Sequence, residues 1–404
     1  MGKLYKIEGR EKQKIVNVDF LIKKIRKINF LIHLQGIEKK DCVVGSEDKV
    51  ILVRLDAIGD FIMSYSVFCE YRKLYQNKKL ILICSASCEP LAIAWKIFDE
   101  VIPIDMKKYC VDRQYAKLVL DILSQLTADI VIQLVSNRTI EMEHIIGHIS
   151  AKNKVALSRD NDKSRLRKRL NRVYNRIILY ENINDFEIKK NFYLFNSISA
   201  YSIPPYQDVL PEITSKYIIR EKYFVIAQGG SFAAKKWQNE KYANVIDLIL
   251  EKVNVQCCLL GAITDLNDSM IIYEQSAHKE RILDLTGKTT ILDCVEIIRH
   301  AAFIITNDTC FIHIAAAVNT KSICIVGGWH WRRFIPYDLC ATTNVYNFPL
   351  EAYHYMECFN CSFKSKQCRK IKDNKRKEEK LPCIQNISVS MVMSLVMEYL
   401  IDEL

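Results

Sequence analysis

Residues 49–60 read Lys-Val-Ile-Leu-Val-Arg-Leu-Asp-Ala-Ile-Gly-Asp. The apolar run in this stretch does not alternate with polar residues, as expected for a strand covered on both faces. A helical pattern follows from about Asp60 to Tyr75. The same unit then repeats. Leu80-Ile-Leu-Ile-Cys84, Glu100-Val-Ile-Pro-Ile-Asp105 and Asp129-Ile-Val-Ile-Gln-Leu134 are further short apolar runs with helical stretches between them. Buried strands separated by helices predict a parallel sheet with helices on both faces. Ile203-Pro-Pro-Tyr206 to Pro211 breaks the pattern as a proline-marked linker. The alternation restarts at 223–228 and continues at 255–261, 281–285, 303–306 and 322–328, with helices predicted from about Asn239, Ile291 and Asp308. The fold class is therefore α/β, with two Rossmann-like domains facing a cleft. The loops after the strand C-termini are where ligands are expected.

Outside these halves, residues 15–34 carry apolar residues at helical spacing, with Lys23, Lys24, Arg26 and Lys27 among them. At the other end, Ser388 to Leu404 reads as a helix with Ser388 as its N-cap and Val392, Leu395, Val396 and Tyr399 on one face. The organisation expected is an N-terminal helical extension (1–48), two α/β domains (49–210 and 211–345), a cysteine-rich segment (346–387) and a C-terminal helix (388–404). The 404 residues, half of them apolar, suffice for two cores. Lysine and arginine number 58 against 47 acids, a net charge of +11. That balance suits an acidic partner: nucleic acid, a phosphorylated glycan or an anionic membrane surface. Neither a secretory signal nor a run of roughly 20 apolar residues is visible, so a cytoplasmic protein is expected. Fifteen cysteines are present, and eleven are scattered. Several sit in apolar runs and read as small buried hydrophobes in a reducing compartment.

Four loops carry the candidate chemistry. The first strand ends in Arg54-Leu-Asp-Ala-Ile-Gly-Asp60. Asp60 sits at the helix start facing the cleft, where an aspartate can carry function or be only a cap. Asp56 is a second carboxylate in the same loop. The first strand of the second half ends in Gln228-Gly-Gly-Ser231, with Lys235-Lys236-Trp237 after it. Small residues let backbone N–H groups approach a phosphate, and a lysine adds charge. The pattern is neither a Walker loop nor the dinucleotide signature, which disfavours a dehydrogenase. Thr306-Asn-Asp-Thr-Cys-Phe-Ile-His313 follows a buried strand and opens a helix. Its unpaired N–H donors and positive dipole end suit a diphosphate. Thr309 can add a hydroxyl, and His313 lies on the same face one turn on.

Residues 159–176 hold eight cationic side chains and two acids. This stretch reads as a basic helix that could dock phosphates of a lipid-linked acceptor through Arg165, Arg167, Lys168 and Arg169, or touch an anionic membrane peripherally. A solvated basic face is the plainer alternative. With no nucleic-acid motif beside it, a nucleic-acid partner is not expected. Asp160-Asn-Asp162 matches a metal-binding DxD, but it lies in a basic loop and is taken as chance. Finally, Cys358, Cys361, Cys368 and Cys383 form a cluster that suits a tetrahedral thiolate site for zinc or iron, structural rather than catalytic.

Together these motifs resemble the heptosyltransferases, glycosyltransferase family 9. The similarity rests on Arg-Leu-Asp-Ala-Ile-Gly-Asp (54–60), the small-residue loop before Lys235-Lys-Trp237, Leu285/Gly287/Lys288/Thr289, Asn307-Asp-Thr309 with His313, and Gly327, Gly328, Arg333 and Pro336. The motifs fall in order across residues 49–340. The cysteine tail also resembles one found in iron-bearing members that glycosylate proteins. The resemblance implies a GT-B fold and metal-independent, inverting transfer without a catalytic cofactor. It implies a nucleotide-diphosphate donor such as ADP-heptose and a lipopolysaccharide or other cell-surface glycan acceptor. Carried over residue by residue, Asp60 becomes the base. Ser231, Lys235, Lys288, Asp308, Thr309, Cys310 and His313 become donor-site groups, and Arg54 joins the acceptor or phosphate side. Cys310 departs from the family's usual glycine. A transferase acting on a protein acceptor and an inactive GT-B binding module are the alternatives.

Overall fold

The computed structural model describes residue 30 and residues 48–158, 170–182, 185–231, 233–339, 346–361, 368 and 380–400. The chain divides into two compact units. The first comprises Met1–Asp56, Cys69–Ile183 and Leu194–Tyr201, and the second Ala57–Phe68, Asn184–Tyr193 and Ser202–Leu404.

The first unit holds a six-stranded sheet of β1 (Lys49–Arg54), β2 (Lys79–Ser85), β3 (Glu100–Ile104), β4 (Thr127–Gln133), β5 (Ser150–Leu157) and β6 (Arg176–Ile178). Its strand order is β3-β2-β1-β4-β5-β6. The second unit repeats the plan with β7 (Tyr223–Ala227), β8 (Gln256–Leu259), β9 (Ile282–Asp284), β10 (Ile304–Asn307), β11 (Ser322–Ile325) and β12 (Leu350–Ala352), ordered β12-β11-β10-β7-β8-β9. Every strand pair is parallel. Each sheet therefore reverses its winding once, between β1 and β4 and between β7 and β10. The predicted α/β class with two parallel sheets is what forms.

Burial explains the unbroken apolar runs. Val50 to Val53 and Val225 to Ala227 are wholly inaccessible, because helices cover both faces. In the first unit, Ile51, Val53, Ile81 and Ile83 pack with Val131, Tyr109 and Leu123. In the second, Phe224, Ile226, Leu259 and Ile325 pack with Trp237, Tyr242 and Ile249. The helix Val389–Leu400 closes that core with Val392, Val396 and Leu400, and Ser388 caps its start by accepting from the Met391 N–H at 3.2 Å. Tyr399 donates its hydroxyl to the Ser322 carbonyl at 3.1 Å, and the Trp237 indole N–H donates to the Ile387 carbonyl at 3.0 Å.

Three features depart from the sequence reading. The single helix expected from Asp60 to Tyr75 is two, Ile58–Ile62 and Tyr65–Leu74. The break falls at Met63 and Ser64, where the Ser64 hydroxyl donates back to the Asp60 carbonyl at 2.9 Å. β5 was not expected, because Lys152, Asn153 and Lys154 interrupt its apolar character. The strand forms nonetheless: Lys152 reaches Asp129 at 2.8 Å, and Lys154 donates to the Ile146 carbonyl at 3.1 Å. β6 and β12 have three residues each, too few for a periodic signal. The helix expected at 15–34 and most of the basic stretch at 159–176 lie outside the described residues. Within the latter, Asn171–Val173 is a 3-10 turn and Arg176 opens β6.

Candidate active site

The point where a doubly wound sheet reverses leaves adjacent loops diverging, and a crevice opens there. In the second unit this point lies between β7 and β10. The loop after β7 is Gln228-Gly-Gly-Ser231, and the one after β10 is Asp308-Thr309. The two predicted phosphate-binding motifs are thus brought side by side by strand order alone. Asn307, the last residue of β10, ties them together. Its buried side-chain amide donates to the Gln228 and Gly229 carbonyls at 2.8 and 2.9 Å, and its oxygen accepts from the Trp237 N–H at 3.1 Å. Thr306 adds a bond to the Ala227 carbonyl at 2.9 Å. Nothing local in the sequence marks Asn307 as this brace, because its partners lie on a different strand end and loop.

The helix Cys310–Ala317 begins at this crevice. Thr309 is its N-cap and accepts from the Phe311 N–H at 3.3 Å. His313 is buried one turn in, and its Nδ1 lies 2.8 Å from the Tyr337 hydroxyl. Burial pushes the imidazole pKa down to about 4, against a smaller opposing pull from Asp308. At neutral pH the ring is uncharged. Burial also pushes the Cys310 thiol up to about 12, so this departure from glycine places a neutral, uncharged group at the helix start.

Asp60 lies in the helix Ile58–Ile62, which belongs to this same unit. Ala57 holds the N-cap position, so Asp60 does not serve as that cap. The residue before it, Gly59, is where this helix meets Cys310–Ala317. A Cβ there would stand 2.8 Å from the His313 ring and 3.5 Å from the Cys310 Cα. Only glycine permits that approach, which sets Asp60 next in sequence to a backbone lying against His313.

Two lysines follow the β7 loop and take different roles. Lys236 is held by Asp265 at 2.5 Å and Asp268 at 2.7 Å. Asp265 in turn accepts from the Ala262 N–H at 3.1 Å and packs against Gly229. Lys235 instead lies with its ammonium 4.7 Å from the centre of the Trp329 ring. Ser231 is exposed at the loop tip. Lys288 is exposed after β9 and donates to the Asp284 carbonyl at 2.6 Å.

The equivalent crevice of the first unit, between β1 and β4, is filled. Arg54 is wholly buried there, with its guanidinium 2.9 Å from Asp56 and donating to the Leu134 carbonyl at 3.1 Å. Arg54, expected on the acceptor or phosphate side, thus bridges protein groups at the two strand ends. Asp56, the second carboxylate of this loop, is bound in the same ion pair. Arg165, Arg167, Lys168 and Arg169 lie outside the described residues.

Cys358, Cys361, Cys368 and Cys383 line one pocket, walled by Trp329, Met356, Phe359, Leu381 and Pro382. Gly328 also lines it, and a Cβ there would stand 2.4 Å from the Phe359 ring. The Gly328 N–H donates to the Cys383 sulfur, and burial raises that thiol to about 11. The neighbouring sulfurs add to the rise at Cys358 and at Cys383, where burial is the larger cause. Among the described residues, no group of three or more His, Cys, Asp or Glu side chains is spaced to hold a metal ion. No helix among them is long and apolar enough to cross a membrane.

Residues 140–360 match the model of Glycosyltransferase family 9 (heptosyltransferase). Lipooligosaccharide heptosyltransferase 2 of Haemophilus ducreyi is 34% identical over 92 residues, 21% of this chain. The match spans about a quarter of that relative (25%). Among solved structures, the E. coli ADP-heptose LPS heptosyltransferase II superposes with a TM-score of 0.64 at 15% identity, covering 88% of this chain and 99% of that one. The iron-containing dodecameric glycosyltransferase TibC of enterotoxigenic E. coli gives 0.50 at 13% identity, covering 89% and 78%. These structural likenesses show the GT-B fold.

Proposed function

Because the chain belongs to glycosyltransferase family 9, the heptosyltransferases, we propose that it moves a heptose or similar sugar from a nucleotide-diphosphate donor to a glycan acceptor. The observation that carries this is the reversal point between β7 and β10, beside which lie the small-residue loop after β7 and the helix start after β10, with Lys235 following that loop. The chemistry follows from that arrangement. A diphosphate seated there accepts backbone N–H bonds and the pull of the helix dipole. In inverting transfer an acceptor hydroxyl attacks the anomeric carbon opposite the leaving diphosphate, through an oxocarbenium-like transition state. Asp60 takes the hydroxyl proton as the new glycosidic bond forms. The leaving diphosphate keeps the electron pair of the broken bond. Lys235, the helix start at Thr309 and the neutral His313 stabilise the charge that builds on it, without a metal.

ADP-heptose is the donor we favour, and lipopolysaccharide or another cell-surface glycan the acceptor. Support comes from the family match and from the named relatives, which are heptosyltransferases. We place the enzyme in the cytoplasm, peripheral to an anionic membrane surface, on its charge of +11 and the basic stretch at 159–176. The test is Asp60→Asn with ADP-heptose. Transfer is expected to fall about 10²- to 10⁴-fold, the usual loss for a general base, while donor affinity stays near wild type. Undiminished turnover would remove Asp60 from the mechanism.

The cysteine pocket is proposed to hold one structural ion, zinc or iron. What supports this is the chemistry of the lining, not its present spacing: four thiols and no carboxylate line one apolar-walled pocket, and a backbone N–H donates to Cys383. Four thiolates would fill a tetrahedral shell and leave no position for substrate. The ion's contribution would be to join the segment at 358–361 to that at 381–383. Elemental analysis of protein purified without chelators tests it, and well under one equivalent of either metal would dismiss the site.

A further inference from the structure

His313 has two ring nitrogens and, being uncharged, a single proton to share between them. Which nitrogen carries it decides whether the ring can donate to an anion. Tyr337 is the group that decides. Its hydroxyl lies 2.8 Å from His313 Nδ1, and this is the only hydrogen bond it makes among the described residues. Phe186 and Phe348 pack on the Tyr337 ring at 5.0 and 5.7 Å between centroids, so the phenol is fixed. Burial raises its pKa, and the hydroxyl keeps its proton.

Two arrangements are conceivable. If Nδ1–H donated to the phenol oxygen, the phenol proton would have no protein acceptor among the described residues, and Nε2 would turn a lone pair, not a donor, towards an anion. If the phenol donates to Nδ1, the phenol is satisfied and the imidazole proton resides on Nε2. The second arrangement leaves its remaining donor on the side of the ring towards Gly59 and the helix start, where a phosphate oxygen can accept it. Nε2 lies on the side of the ring that faces Gly59, 3.5 Å from where a Cβ of that residue would stand. Among the described residues no protein atom accepts from it. A neutral N–H therefore faces the start of the helix that carries Asp60, one turn inside the helix start at Thr309.

We propose that Tyr337 is a positioning residue: its hydroxyl fixes the His313 tautomer that presents Nε2–H to a phosphate oxygen of the donor. This rests on the donor-site reading given above. The device supplies a donor without burying a cation. A protonated histidine here would carry a charge into a site with no carboxylate bonded to it, and the depressed pKa expresses that cost.

Long-range proton–nitrogen NMR on ligand-free protein with ¹⁵N-labelled histidine tests the tautomer directly, with His313→Gln assigning the signal. Wild type is expected to show an unprotonated Nδ1 and a protonated Nε2 at neutral pH. In Tyr337→Phe the pattern is expected to shift towards a mixture, since nothing then favours one nitrogen. Calorimetry with ADP provides the second readout. Tyr337→Phe is expected to weaken ADP about ten-fold, comparable to losing one hydrogen bond to a charged group. In a His313→Gln background the same change is expected to do nothing, because Tyr337 acts only through His313. A wild-type ring protonated on Nδ1, an unchanged pattern in Tyr337→Phe, or an equal ADP loss in both backgrounds would overturn the proposal. Absence of ADP binding by wild type would instead overturn the donor-site reading, and the ligand-free spectrum keeps the two failures apart.

Discussion

Asn307→Ala removes a single buried side chain that makes three hydrogen bonds. Two run from its amide to the Gln228 and Gly229 carbonyls and one from the Trp237 N–H to its oxygen. Asn307 and Gln228 are each 1% exposed and Trp237 is not exposed at all, so none of these groups can turn to bulk water. Each orphaned buried group costs about 1–3 kcal/mol. The vacated space can admit a water that satisfies part of the set. The net loss worked from this is about 3 kcal/mol. It should appear as a lower urea midpoint with an unchanged slope. The same brace holds the loop Gln228–Ser231 against the helix start at Thr309, so ADP affinity measured by calorimetry should fall with stability. Asn307→Asp sharpens the point. It keeps the shape and the bond from Trp237, but at neutral pH it sets a carboxylate oxygen against two carbonyls. A destabilisation under about 0.5 kcal/mol in Asn307→Ala, the size of a neutral surface change, would refute the reasoning. So would full ADP affinity in a clearly destabilised variant, which would reduce Asn307 to a purely structural role.

Gly59→Ala places a methyl 2.8 Å from the buried His313 ring and is expected to cost about 1–3 kcal/mol by overpacking, with transfer activity reduced because the helix carrying Asp60 is pushed away; wild-type midpoint and turnover would count against that contact. Acid should destabilise the protein through His313. The unfolded chain takes up this proton below about pH 6.5 and the folded chain only below about 4, so stability falls as pH drops through that window, by about 3 kcal/mol in all. His313→Gln should lose that part of the pH dependence, and parallel stability curves for the two proteins would remove the assignment. Cys361→Ser should lower bound zinc or iron and the melting temperature together while leaving ADP affinity unchanged, and metal content equal to wild type would exclude Cys361 as a ligand.

The sequence by itself determined the class of fold and the order of its motifs. Runs such as Val50 to Val53 and Ile304 to Thr306 have no polar alternation, and only a strand covered on both faces tolerates that. The helix after β10 was legible because small polar residues behind a buried strand have a local signature, though Thr309 rather than Asp308 proves to be its cap, and Ser388 was legible as a cap for the same reason. Local rules reach no further than a few residues. Hence Ile58–Ile62 and Tyr65–Leu74 were read as one helix, and the polar β5 and the three-residue β6 and β12 were not expected. Tertiary structure alone decided what each candidate side chain does. Arg54 and Lys235 are both cations beside a strand end. One is enclosed between β1 and β4 on Asp56 and the Leu134 carbonyl, and the other lies over the Trp329 ring. The pairings of Asn307 with residues 79 and 78 positions away, and of His313 with Tyr337, arise only when the chain closes on itself. Hydrogen bonds are short-ranged and directional, so partners distant in sequence become known only once the backbone has set them within about 3 Å.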